Sequence, residues 1–196
     1  MIVYLDTETT GLHPGQICQL SYIVQNKNNV CSKNFFFSVD YVETSAFLVH
    51  NFSKDMLDKL SLGKGFESSI EQIFEDFDRA DVICSHNTAF DFSFLDKEFS
   101  RCGRIFAPNN SFCTMKNSVG YCKLPRSNSR GYKYPKLSQL CQILGISDIS
   151  IEQACSKIFG AEVGYHDARF DTTAVYLAVN CAIDKIKEFS YLRDYL

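Results

Sequence analysis

The chain begins with an apolar run, Ile2-Val3-Tyr4-Leu5, that passes directly into Asp6-Thr7-Glu8-Thr9-Thr10-Gly11-Leu12. Four apolar residues bounded by Thr-Thr-Gly read as a buried strand entering a turn. Side chains alternate across a strand, so Asp6 and Glu8 share one face, about 7 Å apart along it. Two carboxylates placed there repel each other and lose hydration, which is costly unless a cation neutralises them. Either the pair projects past the strand end into water, or the fold must supply counter-charge. Segments much further along the chain bear on that choice.

Length and composition allow a folded core. At 196 residues the chain has the size of one domain, 1–196,. Hydrophobic residues make up 45%, including 17 Phe, which excludes a disordered chain,. No apolar run approaches the length of a membrane span, and Met1 leads straight into the first strand. No signal peptide, targeting segment or membrane partner is expected. The nine cysteines are odd in number and none forms a C-x-x-C pair. That argues against zinc and a disulfide framework, and for a cytoplasmic protein with cysteines as small buried hydrophobes.

The net charge of −3 conceals a segregation. From Phe99 to Ser147 there is no Asp or Glu, while Arg101, Arg104, Lys116, Lys123, Arg126, Arg130, Lys133 and Lys136 give +8, leaving −11 elsewhere. Such a stretch fits an anionic partner such as a phosphate backbone, and equally a solvated loop region.

Residues 17–25 and 30–39 are rich in β-branched and aromatic side chains and flank Asn26-Lys27-Asn28-Asn29, a hairpin turn. With the first strand they make an antiparallel three-stranded start. Ile70, Ile73, Phe74 and Phe77 follow helical spacing. Val82-Ile83-Cys84-Ser85 reads as a short buried strand. A helix is expected from Phe90 to Gly103, with Phe92, Leu95, Phe99 and Cys102 on one stripe. Residues 106–135 read as loop with one short element. Pro135 opens a helix carrying Leu137, Leu140, Cys141 and Leu144 and closed by Gly145. A last helix, from Asp167 to Lys187, presents Asp171, Ala174, Val175 and Ala178 on one face. Strands followed by strand-helix alternation indicate an α/β or α+β sheet covered by helices.

Two segments join the first. Ser85-His86-Asn87-Thr88-Ala89-Phe90-Asp91 places a carboxylate where a strand gives way to a helix, and Tyr165-His166-Asp167-Ala168-Arg169-Phe170-Asp171 sets a histidine five residues before an aspartate. Taken with Asp6-x-Glu8-Thr-Thr-Gly-Leu, these resemble the three motifs of the DnaQ-like 3′→5′ exonucleases of the DEDDh type, over residues 2 to roughly 180. That family includes the epsilon proofreading subunits of bacterial replicases and stand-alone exonucleases.

The resemblance implies a ribonuclease-H-like α/β fold, with a mixed five-stranded sheet flanked by helices. It also implies metal-dependent removal of 5′-mononucleotides from the 3′ end of single-stranded nucleic acid, DNA favoured over RNA. Phosphodiester hydrolysis adds negative charge to an anionic centre and expels an alkoxide. Two divalent cations, Mg²⁺ or Mn²⁺, roughly 4 Å apart offset that charge, and hard carboxylate oxygens suit them. By resemblance Asp6 bridges both ions, Glu8 and Asp171 hold the one beside the nucleophile, Asp91 supports the other, and His166 is the general base. An imidazole titrates near neutral pH, which suits that role.

The resemblance further implies a pocket for the 3′-terminal nucleotide formed by Thr9, Thr10, Gly11 and Leu12, with Val49, His50, Asn87 and Phe90 around the base. Phe90 and Val49 fit a core position equally well. Lys136, in Tyr134-Pro135-Lys136-Leu137, is placed to touch phosphate. Gln19 stands where many relatives have Glu, which leaves the metal set unchanged. The short stretch after Asp171 favours a free-standing exonuclease over a tethered proofreading subunit. An RNA-trimming enzyme of the same family, or a non-catalytic nucleic-acid-binding module, are the alternatives. Oligomeric state is left open.

Overall fold

The computed structural model describes residues 1–27, 29–127 and 130–196. Along it run β1 (Ile2–Thr9), β2 (Ile17–Asn26), β3 (Asn29–Phe36), α1 (Thr44–His50), α2 (Lys54–Leu60), α3 (Ile70–Asp78), β4 (Val82–Ser85) and α4 (Thr88–Arg101). The second half holds β5 (Ser111–Cys113), α5 (Thr114–Asn117), α6 (Val119–Cys122), α7 (Leu137–Leu144), α8 (Asp148–Phe159) and α9 (Ala168–Ala182). Among the described residues the strands form one five-stranded sheet in the order β3-β2-β1-β4-β5. β1 and β2 pair antiparallel, as do β2 and β3, whereas β4 is parallel to both β1 and β5. The sheet is mixed and five-stranded, as the resemblance implied. Of the expected hairpin turn, Asn28 lies outside the described residues.

Alternation along β1 decides which helices cover it. Ile2 and Tyr4 face a core shared with Phe170, Ala174, Val175 and Ala178 of α9. Val3 and Leu5 face the opposite core, with Phe94, Leu95 and Phe99 of α4 and Ile73 and Phe77 of α3. Helices therefore lie on both sides of the sheet. Small residues at Ala168, Ala174, Ala178 and Ala182 are all buried and let α9 approach the sheet closely. The Tyr4 ring meets Tyr176 edge-on at 5.3 Å, and Thr172 Oγ1 donates to the Ser21 carbonyl at 3.1 Å.

Several boundaries differ from expectation. α4 starts at Thr88, because Asn87 takes a left-handed backbone (φ 78°) as its N-cap. Its buried stripe is Phe94, Leu95, Glu98 and Phe99, with Phe92 and Cys102 half-buried at its flank. Glu98 enters the core because the Ile17 N–H, at the start of β2, donates to Glu98 Oε1 at 2.9 Å, while Arg101 pairs with the same carboxylate at 3.0 Å. Pro135 does not open α7. It is buried, Lys136 is the N-cap, and its N–H donates to Gln139 Oε1 at 3.0 Å. Residues 106–135, expected as loop with one short element, contain three, β5, α5 and α6. α8 was not anticipated, and α9 ends at Ala182, followed by a 3-10 segment, Lys187–Tyr195, that buries Phe189 and Leu192. Among the described residues no helix is long and apolar enough to cross a membrane.

Glu98→Ala should cost about 1–3 kcal/mol, because it leaves the Ile17 N–H buried without an acceptor. Urea unfolding checks this: the midpoint should fall while the slope stays constant.

Candidate active site

The alternation that sends Ile2 and Tyr4 toward α9 sends Asp6 and Glu8 the same way. Oxygen atoms of Asp6, Glu8 and Asp171 come within 4.8 Å of one another. Asp91 arrives from the other helical layer. Thr7, pointing to the opposite face from its two neighbours, donates its hydroxyl to Asp91 Oδ1 at 2.9 Å, and Asp91 is only 3% exposed. Three carboxylates thus meet at the end of β1, two from the strand and one from α9, and Asp91 of α4 is held by Thr7 near enough for its charge to reach Asp6 and Glu8.

Their proton affinities record the crowding. Burial first, then the charges of Asp171, Asp91 and Glu8, raise Asp6 well above the usual carboxylate range. Burial and the charges of Asp171, Asp167 and Asp91 do the same to Glu8. Burial pushes Asp91 up to about 7, against the lowering effect of the Thr7 hydroxyl. Burial raises Asp171 to about 6, while the imidazole and backbone N–H of His166 act against it. Hard oxygen donors at this spacing, desolvated and mutually repelling, fit a divalent cation.

His166 is exposed and its backbone is left-handed (φ 62°), an uncommon conformation for a side-chain-bearing residue and one that clusters at functional sites,. Its N–H donates to Asp171 Oδ2 at 3.2 Å. The next residue, Asp167, is the N-cap of α9 and is held on several sides. Arg169 donates to both of its oxygens, at 2.8 and 2.7 Å. Gln19 Nε2 donates to Asp167 Oδ1 at 3.0 Å, and the Ala168 N–H donates to Gln19 Oε1 at 3.1 Å. Tyr165 hydrogen-bonds Asp148 and packs on Phe170, with ring centroids 4.6 Å apart. Gln19 thus fixes the start of α9 from strand β2.

Beside the carboxylates lies a cleft of about 370 Å³ lined by Glu8, Thr9, Gly11, Leu12, Val49, His50 and Phe90, among others. Leu12, 74% exposed, stands at its edge, and the Phe90 ring packs on Phe94 at 5.0 Å. A Cβ on Gly11 would sit 2.4 Å from the Glu43 carboxylate, so that exposed side chain would have to turn aside. His50 donates from Nε2 to the Thr9 carbonyl (3.2 Å) and accepts at Nδ1 from the Phe52 N–H (3.0 Å), so both ring nitrogens are engaged by backbone. Two expected contributors are placed differently. Thr10 is fully buried, its Oγ1 accepting from the Gln16 N–H at 3.1 Å, and Asn87 caps α4 away from the cleft lining.

Thr7, Gln19, Asp167 and Arg169 escaped the reading of the motifs as functional side chains. Strand alternation held the signal for Thr7, which must face the α4 side. For Asp167 the signal was the preference for Asp at a helix N-cap.

The sheet order, the two helical layers and the carboxylates gathered on the central strand define a ribonuclease-H-like α/β protein. The exonuclease family RNase_T matches residues 3–178, and the chain belongs to that family. Among curated relatives it is 28% identical over 131 residues to the DNA polymerase III subunit epsilon of Escherichia coli, covering 62% of this chain and 52% of that protein. The corresponding subunit of Rickettsia felis is 28% identical over 146 residues, covering 71% and 60%. In structure the chain is similar to E. coli Exonuclease I in complex with a 5cy-dA13 oligonucleotide, with a TM-score of 0.73 at 18% identity, covering 98% of this chain and 42% of that one. The zinc-bound form of the E. coli Exonuclease I–ssDNA complex gives 0.75 at 18% identity, covering 98% and 42%. The chain spans about half the length of the epsilon subunits it matches.

A folded-state carboxyl pKa above its unfolded value means the folded protein binds extra protons, so stability falls as pH rises from about 4 through about 7. In EDTA, Tm should be lower at pH 7.5 than at pH 5, and Mn²⁺ should raise it at pH 7.5. Asp6→Asn should raise the EDTA value at pH 7.5 and remove the Mn²⁺ increment. An EDTA Tm independent of pH, or a full Mn²⁺ response in the variant, would contradict the assignment.

Proposed function

We propose that this chain, as one domain over residues 1–196, is a metal-dependent exonuclease. It removes 5′-mononucleotides from the 3′ end of single-stranded nucleic acid, DNA favoured, in the cytoplasm. The observation that carries the reading is the cluster of Asp6, Glu8 and Asp171 at the end of β1, with Asp91 held alongside by Thr7, beside the cleft and the His166 turn. Family membership and the oligonucleotide complexes of the structurally similar Exonuclease I support it.

Divalent cations, Mg²⁺ or Mn²⁺, held by Asp6, Glu8 and Asp171 with Asp91 alongside, would lower the pKa of an attacking water and neutralise the leaving oxygen. The chain's own residues do the rest. Leu12, Val49 and Phe90 offer apolar surface to the terminal base, and Thr9 and Gly11 shape the turn beneath it. His50 holds that turn through the Thr9 carbonyl. Thr10 and Asn87 act through the backbone they fix. His166 takes the proton from the water, its place set by its bond to Asp171 and by the Tyr165 and Asp167 anchors on either side.

His166→Ala should lower kcat by about 10²–10⁴ while leaving Mn²⁺ binding intact. Single-turnover hydrolysis with parallel calorimetry measures both, and an unchanged kcat would remove His166 from the chemistry. Matched 5′-labelled DNA and RNA strands should both shorten stepwise from the 3′ end, DNA faster. Internal cuts, or release of mononucleotides from the 5′ end, would overturn the reading.

A further inference from the structure

The acid-free stretch keeps a large part of its charge unpaired. Arg101 and Arg104 are tied to Glu98 and Glu71. Lys116, Lys123, Arg126, Arg130, Lys133 and Lys136 are all exposed, and among the described residues none of them forms an ion pair. Five of these six lie between residues 123 and 136, where they repel one another and together favour an anionic partner,.

That segment nevertheless has a defined root. Pro125 and Tyr132 pair as an isolated antiparallel bridge, and the Lys133 N–H donates to the Leu124 carbonyl at 2.9 Å. Arg126 Nε donates to the Tyr132 carbonyl at 3.0 Å. The root is fastened to the active site: His86 donates from Nε2 to the Pro135 carbonyl at 3.0 Å, and His86 immediately precedes Asn87, the cap of the helix that carries Asp91. Tyr121, Tyr132 and Tyr134 stand among the cations with 39%, 45% and 54% of their surface exposed. Cations tracking a backbone beside aromatic faces are the combination that holds single strands without reading sequence.

We propose that the two arms of this ribbon, 123–127 and 130–136, with Lys116, are a second contact surface for the substrate strand. It grips phosphates upstream of the scissile one and stacks exposed tyrosines on bases. The proposal rests on the exonuclease reading, and nucleic acid is favoured over an acidic peptide because the ribbon is rooted at the strand-helix junction that delivers Asp91. The consequence is an affinity that grows with strand length, although the cleft itself takes only the terminal nucleotide.

The test uses the full chain carrying Lys123→Gln, Arg126→Gln and Lys133→Gln together, with Tm confirming that it folds. Binding of a phosphorothioate dT20 in EDTA is measured by anisotropy across a salt series, and cleavage of dT3 and dT20 in Mn²⁺. Affinity for dT20 should fall about tenfold and the log–log salt slope should shrink by about 2, since each lost single-strand phosphate contact removes about 0.7. Cleavage of dT3 should be unchanged. An unchanged dT20 slope in a variant that still cleaves, or an equal loss on dT3, overturns the ribbon's role and leaves the exonuclease reading standing. Poly-L-glutamate competing as well as dT20 would reassign the surface to an acidic protein. A wild-type chain that neither binds dT20 nor cleaves either strand removes both proposals.

Discussion

Asp6 and Glu8 sit on the central strand, where hydration is poor and Asp171 lies within 4.8 Å, so each carboxylate raises the proton affinity of the next. A fold that keeps such a cluster must hold it against its own repulsion. It does so with rigid scaffolding: β1 is buried along nearly its whole length and paired on both edges. Among the described residues no Lys or Arg forms an ion pair with these carboxylates; the guanidinium of Arg169 is committed to Asp167 instead.

The second requirement is placement of α9. Alanines on its sheet-facing side allow close approach, and the Thr172 hydroxyl registers it against β2. Gln19 then connects the strand to the first turn of the helix by donating to Asp167 and accepting from Ala168. A glutamate at this position would put a second negative charge against Asp167, so the amide suits the aspartate it faces. Asp171 and the His166 turn inherit their positions from this joint.

The three motifs made the fold and the carboxylate set legible, because alternation on β1 and helical spacing on α9 both put acids on inward faces. Less visible were features that depend on contacts distant in sequence. Glu98 breaks the apolar stripe of α4 because it answers an N–H of Ile17, 81 residues away, which no local pattern encodes. α8 buries only Ile151 and Cys155, a stripe too thin for periodicity to reveal, although Ser147 and Gly160 mark its ends. Thr10 lies in the motif yet spends its hydroxyl on Gln16, and Asn87 spends its unusual backbone on starting α4. In the cleft, by contrast, Leu12, Val49 and Phe90 do gather, from three separate segments.

Asp91 hangs from the helical layer on one side of the sheet and Asp171 from the layer on the other, with Thr7 reaching across the strand between them. A chain emerging from the ribosome acquires the first layer long before the second. Until the last helix docks, Asp171 is apart from the other acids. The complete carboxylate set is thus a property of the finished molecule alone.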